Sequence, residues 1–166
     1  MHMTWGQEMV TRWRSHVASG GDRPSVEHGG WHLHVEAHAS GPVGLSAGRV
    51  VVRTPAAGDP GRAAAGVARR VTYLLEPLRL IEAGDGRALV RSAPAEKGPF
   101  GEVRDYYEMW ITRADRGTEV ELRRYRYSRA TRRRTPLPID ITWEVAGRLL
   151  DDVRDSLLAA LEEAEG

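Results

Sequence analysis

A chain of 166 residues with a formal charge of +1 fits one domain and sets up no global field that would gather nucleic acid. Lacking cysteine, it can form no disulfide, thiol nucleophile or thiolate metal site, and nothing argues for an oxidising compartment, so a cytoplasmic setting is expected. No apolar run approaches the roughly 20 residues that cross a bilayer, and neither a membrane nor a nucleic acid is expected as partner.

The spacing of Trp5, Met9, Trp13 and Val17 predicts an amphipathic helix over Trp5 to Ser19, stopped by Gly20-Gly21-Asp22. Arg23 to Gly30 is expected to be a loop. Trp31, Leu33, Val35 and Ala37 then alternate with His32, His34, Glu36 and His38, the period of a half-buried strand whose odd positions face the core. Gly41-Pro42 breaks it, and Arg49 to Thr54 supplies a second, β-branched run. Pro55 to Gly66, rich in small residues, reads as a loop, and Val67 to Glu76 as a third strand with Val71, Tyr73 and Leu75 on one face. Leu78 to Ala83 and Arg87 to Ser92 flank Gly84-Asp85-Gly86, whose glycines can take positive φ and close a hairpin.

After a loop over Ala93 to Gly101, the run Val103 to Thr112 sets Val103, Tyr107, Met109 and Ile111 on one face and Tyr106 and Trp110 on the other. Both faces of this strand should be covered. Asp115-Arg116-Gly117 makes a turn into Thr118 to Ser128, which begins with Val120 and Leu122 inward and then changes phase to Tyr125 and Tyr127. A bulge at Arg123-Arg124 would produce that change. Asp140 is the expected cap of a last helix, in which Ala146, Leu149, Leu150, Val153, Leu157, Ala160 and Leu161 recur at helical spacing over about 22 residues, or roughly 33 Å. The predicted fold is one α+β domain over residues 1–166: a curved antiparallel sheet of about seven strands gripping a long C-terminal helix, with a short N-terminal helix.

The Gly117-Thr118-Glu119-Val120 entry to the last strand, the Leu75-Glu76-Pro77-Leu78-Arg79-Leu80 step and the long terminal helix resemble the START-like helix-grip superfamily, which includes polyketide cyclases and dehydratases. The resemblance covers about residues 67–166. It implies an interior site for an apolar or polyketide-like molecule in bacterial secondary metabolism, such as antibiotic biosynthesis, with the protein acting as a cyclase, a dehydratase or a ligand chaperone. It implies no cofactor. Ser40 to Gly48 is too short for the two helices that the family carries after its first strand. Either the Trp5 to Ser19 helix closes that end of the cavity, or the chain forms a closed, lipocalin-like barrel.

Within this frame Tyr73, Tyr107, Met109, Tyr125 and Trp143 are the expected ligand-binding set, apolar walls with hydroxyl and indole handles. Ordinary core packing accounts for many of the same residues. Asp105, Tyr107 and Glu108 are the candidate proton carriers, since burial raises a carboxyl pKa towards working pH, while pairing with Arg104, Arg124 or Arg126 is the structural alternative for the two acids. His32, His34, Glu36 and His38 have the chemistry of a metal site and define a second reading, a metal-dependent enzyme, although alternation alone explains their shared solvent face. Seven arginines, at 123, 124, 126, 129, 132, 133 and 134, suit carboxylate or phosphate and suggest an acidic carrier protein as a partner. Their alternative partners are the acids of the last helix, Asp151, Asp152, Asp155, Glu162 and Glu163. A third reading is a non-catalytic interaction domain with a filled core. Gly58-Asp59-Pro60-Gly61-Arg62 lacks the Lys-Ser/Thr ending of a phosphate-binding loop.

Overall fold

A computed structural model describes residues 2–18, 25–74 and 76–165, which form three helices and ten strands. The strands are β1 (Ser25–His28), β2 (Trp31–Ser40), β3 (Gly44–Thr54), β4 (Leu78–Gly84), β5 (Arg87–Ser92), β6 (Ala95–Lys97), β7 (Val103–Ala114), β8 (Gly117–Ser128), β9 (Arg133–Leu137) and β10 (Ile139–Thr142). The helices are α1 (Trp5–Ala18), α2 (Pro60–Arg70) and α3 (Trp143–Glu165). All strand pairs are antiparallel, in the order β1-β2-β3-β8-β7-β5-β4, with β10 on β3, β9 on β8 and β6 on β7. The α+β reading holds. Among the described residues β1 and β4 end the path unpaired with each other, so the sheet is open and the closed-barrel alternative is overturned.

β3 and β8 share only part of their lengths. Val50–Thr54 of β3 pairs with β8, whereas Gly44–Ala47 pairs with β10, and Arg124–Ser128 of β8 pairs with β9. β9 and β10 therefore fill the wedge where two central strands diverge. That divergence gives the sheet its curvature, and the concave face is apolar: Leu33, Val52, Val120 and Ile111 stand in one row across β2, β3, β8 and β7, with Val35, Val50, Leu122 and Met109 in the next. Leu149, Leu150, Val153 and Leu157 of α3 pack on this face. Each such side chain contributes about 1.5 to 3 kcal/mol when fully buried. α1 adds Met9 and Trp13 on one flank, and α2 adds Ala63, Ala64 and Val67 on the other.

The region from 55 to 76 departs from expectation. Asp59, in an extended conformation, accepts the backbone N–H of Arg62 on its side chain at 3.0 Å, Pro60 takes the first helical position, and Arg69 and Arg70 close the last turn against the helix dipole. A helix thus replaces the second half of the predicted loop, from Pro60, and the start of the predicted third strand. The described residues from Val71 to Pro77 have no regular structure, and Leu75 lies outside the described residues. So does the Gly20-Gly21-Asp22 stop, while Ser25–His28 forms a strand where a loop was expected.

Smaller corrections follow from geometry. The positive φ values of the β4–β5 turn belong to Asp85 (54°) and Gly86 (76°), with Gly84 ending β4. β6 occupies part of the predicted Ala93 to Gly101 loop. β8 has no bulge: its register with β7 runs unbroken from Val103 opposite Ser128 to Ala114 opposite Gly117. Asp140 belongs to β10, and the cap of α3 is Thr142, whose Oγ1 accepts the N–H of Val145 at 3.2 Å.

Candidate functional site

Unbroken alternation along β8 has a chemical consequence. After Val120 and Leu122, the concave-face positions are Arg124, opposite Tyr107, and Arg126, opposite Asp105. Charge is thereby carried onto the face that α3 covers. Asp105, 1% exposed, accepts two bonds from Arg126, from Nε at 2.8 Å and Nη2 at 3.0 Å. This bidentate pair engages Asp105 structurally. Arg124 is different. It makes no ion pair or hydrogen bond to a described residue; its guanidinium carbon lies 5.3 Å from the centroid of the Tyr107 ring, and its Nε is buried without a partner.

Tyr107 is 4% exposed, and its backbone N–H donates to Ser92 Oγ at 2.8 Å. Burial pushes its phenol pKa up; Arg124 pulls it down, while the nearby Glu76 and Asp140 carboxylates push it up again. The hydroxyl is therefore a proton donor at neutral pH. Glu76, from the irregular segment before β4, has a buried Oε2 without a partner. A buried Nε without a partner also occurs at Arg49, Arg91 and Arg154; at Arg124 it coincides with the unpartnered Glu76 Oε2 beside one tyrosine. Neither Arg124 nor Glu76 was among the expected ligand-binding or proton-carrying residues. Arg124 was legible from simple period-two counting beyond Leu122; nothing in the sequence pointed to Glu76.

Tyr73 sits on the same flank of α3, donating its hydroxyl to Asp152 Oδ2 at 2.7 Å beneath Arg148, whose guanidinium carbon is 4.1 Å from the ring centroid. Burial first, and then the bond to Asp152, push its pKa well above the ordinary tyrosine range. Met109 follows Tyr107 on the concave face of β7 and is fully buried. Trp143 stands elsewhere: with Trp13, Leu33, Val50, Ile141 and Leu149 it lines an apolar cavity of about 30 Å³ under α1 and α3. Tyr73, Tyr107 and Met109 do not line that cavity. Tyr125 lies on the convex face, opposite Tyr106, with the Arg134 guanidinium carbon 3.9 Å from its ring centroid.

Glu108 also faces the convex side. It is 3% exposed and accepts from Arg91 Nη2 (3.0 Å), Arg134 Nη1 (2.9 Å) and Trp110 Nε1 (3.1 Å), so its carboxylate is saturated by structural donors. Arg123 pairs with Glu121 at 2.6 Å. Arg123, Arg126 and Arg134 thus find their acids within the sheet rather than on α3, whereas Arg124 and Arg133 make no ion pair with a described residue. His32 and His34 lie on the solvent side of β2, where the His34 ring nitrogen Nδ1 meets Ser25 Oγ at 2.8 Å and Glu36 pairs with Arg49 at 3.1 Å. Register shifts after Glu36 and Ala37 take His38 out of line. Among the described residues no group of three or more His, Asp or Glu side chains is placed to hold a metal ion.

Compared with known proteins, the chain matches no family model, no curated protein and no solved structure. The fold and the site define its class: an open-sheet α+β protein with a half-buried cation beside a buried, neutral phenol on the concave face.

Proposed function

We propose that the protein binds a small amphipathic molecule between α3 and the concave face, with an anionic or enolic group on Arg124 and Tyr107 and an apolar body towards Met109 and Leu122. The observation that carries this reading is Arg124, a half-buried guanidinium with a buried, unpartnered Nε beside an un-ionised tyrosine hydroxyl. In low dielectric such a donor pair favours carboxylate, phenolate or enolate. A polyketide-like acid meets that description. Bound without turnover, it makes the protein a ligand chaperone; if a β-keto substrate passes its α-proton to the Glu76 carboxylate, Arg124 and Tyr107 stabilise the enolate left behind, as a cyclase or dehydratase requires.

A drug-sized ligand needs about 300 Å³ or more, ten times the apolar cavity beside Trp143. The space must widen. The described residues between α2 and β4 have no regular structure and carry Glu76 beside Tyr107, so this is the wall that would move.

Titration with polyaromatic and polyene acids, followed by tryptophan fluorescence and melting temperature, tests the reading. Arg124→Gln should weaken an acid ligand about tenfold or more and leave its neutral ester nearly unaffected. Should no acid raise the melting temperature, the small size of the apolar cavity favours the second reading, an interaction domain with a filled core.

A further inference from the structure

The end of the sheet where β8 turns into β9 carries an arrangement that the concave site does not use. Gly98-Pro99-Phe100-Gly101 is a tight turn, closed by the Gly101 N–H on the Gly98 carbonyl at 3.4 Å, with φ of 90° at Gly98 and 62° at Gly101. It lifts Phe100, the chain's one phenylalanine, to 82% exposure. The β8–β9 turn is fastened to it: the Arg129 N–H donates to the Glu102 carbonyl at 2.9 Å, and Arg129 Nη1 to the Phe100 carbonyl at 3.4 Å. Arg132 and Arg133 are exposed and make no ion pair with a described residue. Glu102 is the one carboxylate of these two turns, so three arginines leave the tip net positive.

A second exposed apolar side chain, Val43 at 74% exposure, stands on the β2–β3 turn, on the diverging arm of the sheet where β3 pairs with β10. The Val43 carbonyl accepts the N–H of Trp143 at 3.1 Å, which fixes this turn to the start of α3. A hydrogen-bonded turn holding an apolar ring in water beside guanidinium groups without an ion pair complements an interface that is apolar inside and anionic at its surface.

We infer that the β8–β9 end of the sheet docks on an anionic lipid bilayer, with Phe100 entering the interface and Arg129, Arg132 and Arg133 meeting head-group phosphates. The apolar side chains stand on separate turns and form no continuous patch approaching the roughly 800 Å² per partner of a stable protein interface. A single ring at a turn apex also offers no row of stacking platforms for single-stranded nucleic acid. The inference is independent of the ligand reading and needs no membrane-spanning segment.

Co-sedimentation with phosphatidylcholine vesicles, with and without phosphatidylglycerol, tests it. Binding should require phosphatidylglycerol, weaken as salt rises, fall about tenfold in Phe100→Ala, and fall about fivefold in each of Arg132→Asn and Arg133→Gln. Asn is chosen because Arg132 has a φ of 55°, which Asn tolerates. Thermal melts of the variants should match the parent, separating docking from folding. Failure to bind anionic vesicles at low salt, equal binding to neutral vesicles, or Phe100→Ala binding like the parent would each overturn it. So would displacement by glycerol phosphate, which would indicate a site for a free anion, or by a single-stranded oligonucleotide, which would indicate a nucleic-acid surface.

Discussion

Gly6 of α1 lies against the carbonyl oxygen of Gly147 in α3, so closely that a methyl group on Gly6 would collide with it. The approach lets the Gly6 N–H reach Asp151 Oδ1 at 2.7 Å and seats Met9 and Trp13 in the core. Gly6→Ala should therefore cost about 2 kcal/mol and expose Trp13. At Gly147 a methyl group would stand 3.5 Å from its nearest neighbour, the Gln7 nitrogen, an ordinary contact. Gly147→Ala should be neutral or stabilise by up to about 1 kcal/mol through helix propensity. Urea unfolding of both variants, followed by tryptophan fluorescence, checks the contrast; equal losses would contradict it.

Leu150 is buried between α3 and the sheet beside the small apolar cavity. Leu150→Ala should cost about 3 kcal/mol, because an enlarged void adds to the lost transfer energy. Deleting the chain from Asp140 onward should abolish cooperative melting in calorimetry, since the concave face would lose its cover.

Asp105→Asn removes the charge from a side chain that accepts two bonds from Arg126 while leaving its shape. A loss of about 2 kcal/mol is expected, and Arg126→Gln should add little more in the double variant. Additive losses in a double-mutant cycle would show that the pair does not act as a unit.

Tyr73 and Tyr107 both hold their protons more tightly folded than unfolded. The sign follows directly. Below the unfolded tyrosine pKa of about 10 their contribution to stability is complete, and it is lost as pH rises from there towards the folded values. Melting temperature should fall above about pH 10, and fall less steeply in Tyr73→Phe and Tyr107→Phe. Ultraviolet titration of the folded protein should show tyrosines that resist ionisation in that range.

Periodicity revealed the sheet and α3, because Val103 to Ser128 and Leu149 to Leu161 bury regular faces. α2 was hidden by its composition. Its buried face is Ala63, Ala64 and Val67, small side chains that pack against the close approach of α3 and that, among glycines and prolines, read as a loop. The Asp59-Pro60 start and Arg69-Arg70 finish were the available signs. β9 and β10 were hidden by Pro136 and Pro138, which read as breakers although proline is tolerated in short strands at a sheet's margin. In the site, the phase change inferred from Tyr125 and Tyr127 arose because aromatic side chains also cover the convex face, where Glu108 and its arginines take the place of a second layer.

The unbroken β7–β8 ladder, joined through the short Asp115-Arg116 link, also bears on how the chain folds. A hairpin closed by so short a link incurs little loop-closure entropy and can form in microseconds, before β3, distant in sequence, is recruited to its edge. β7 and β8 then template both neighbours, and α3, made last, seals them. Their amides should be the last to exchange with deuterated solvent, and substitutions at Met109 or Leu122 should slow refolding, whereas those in α1 should chiefly speed unfolding.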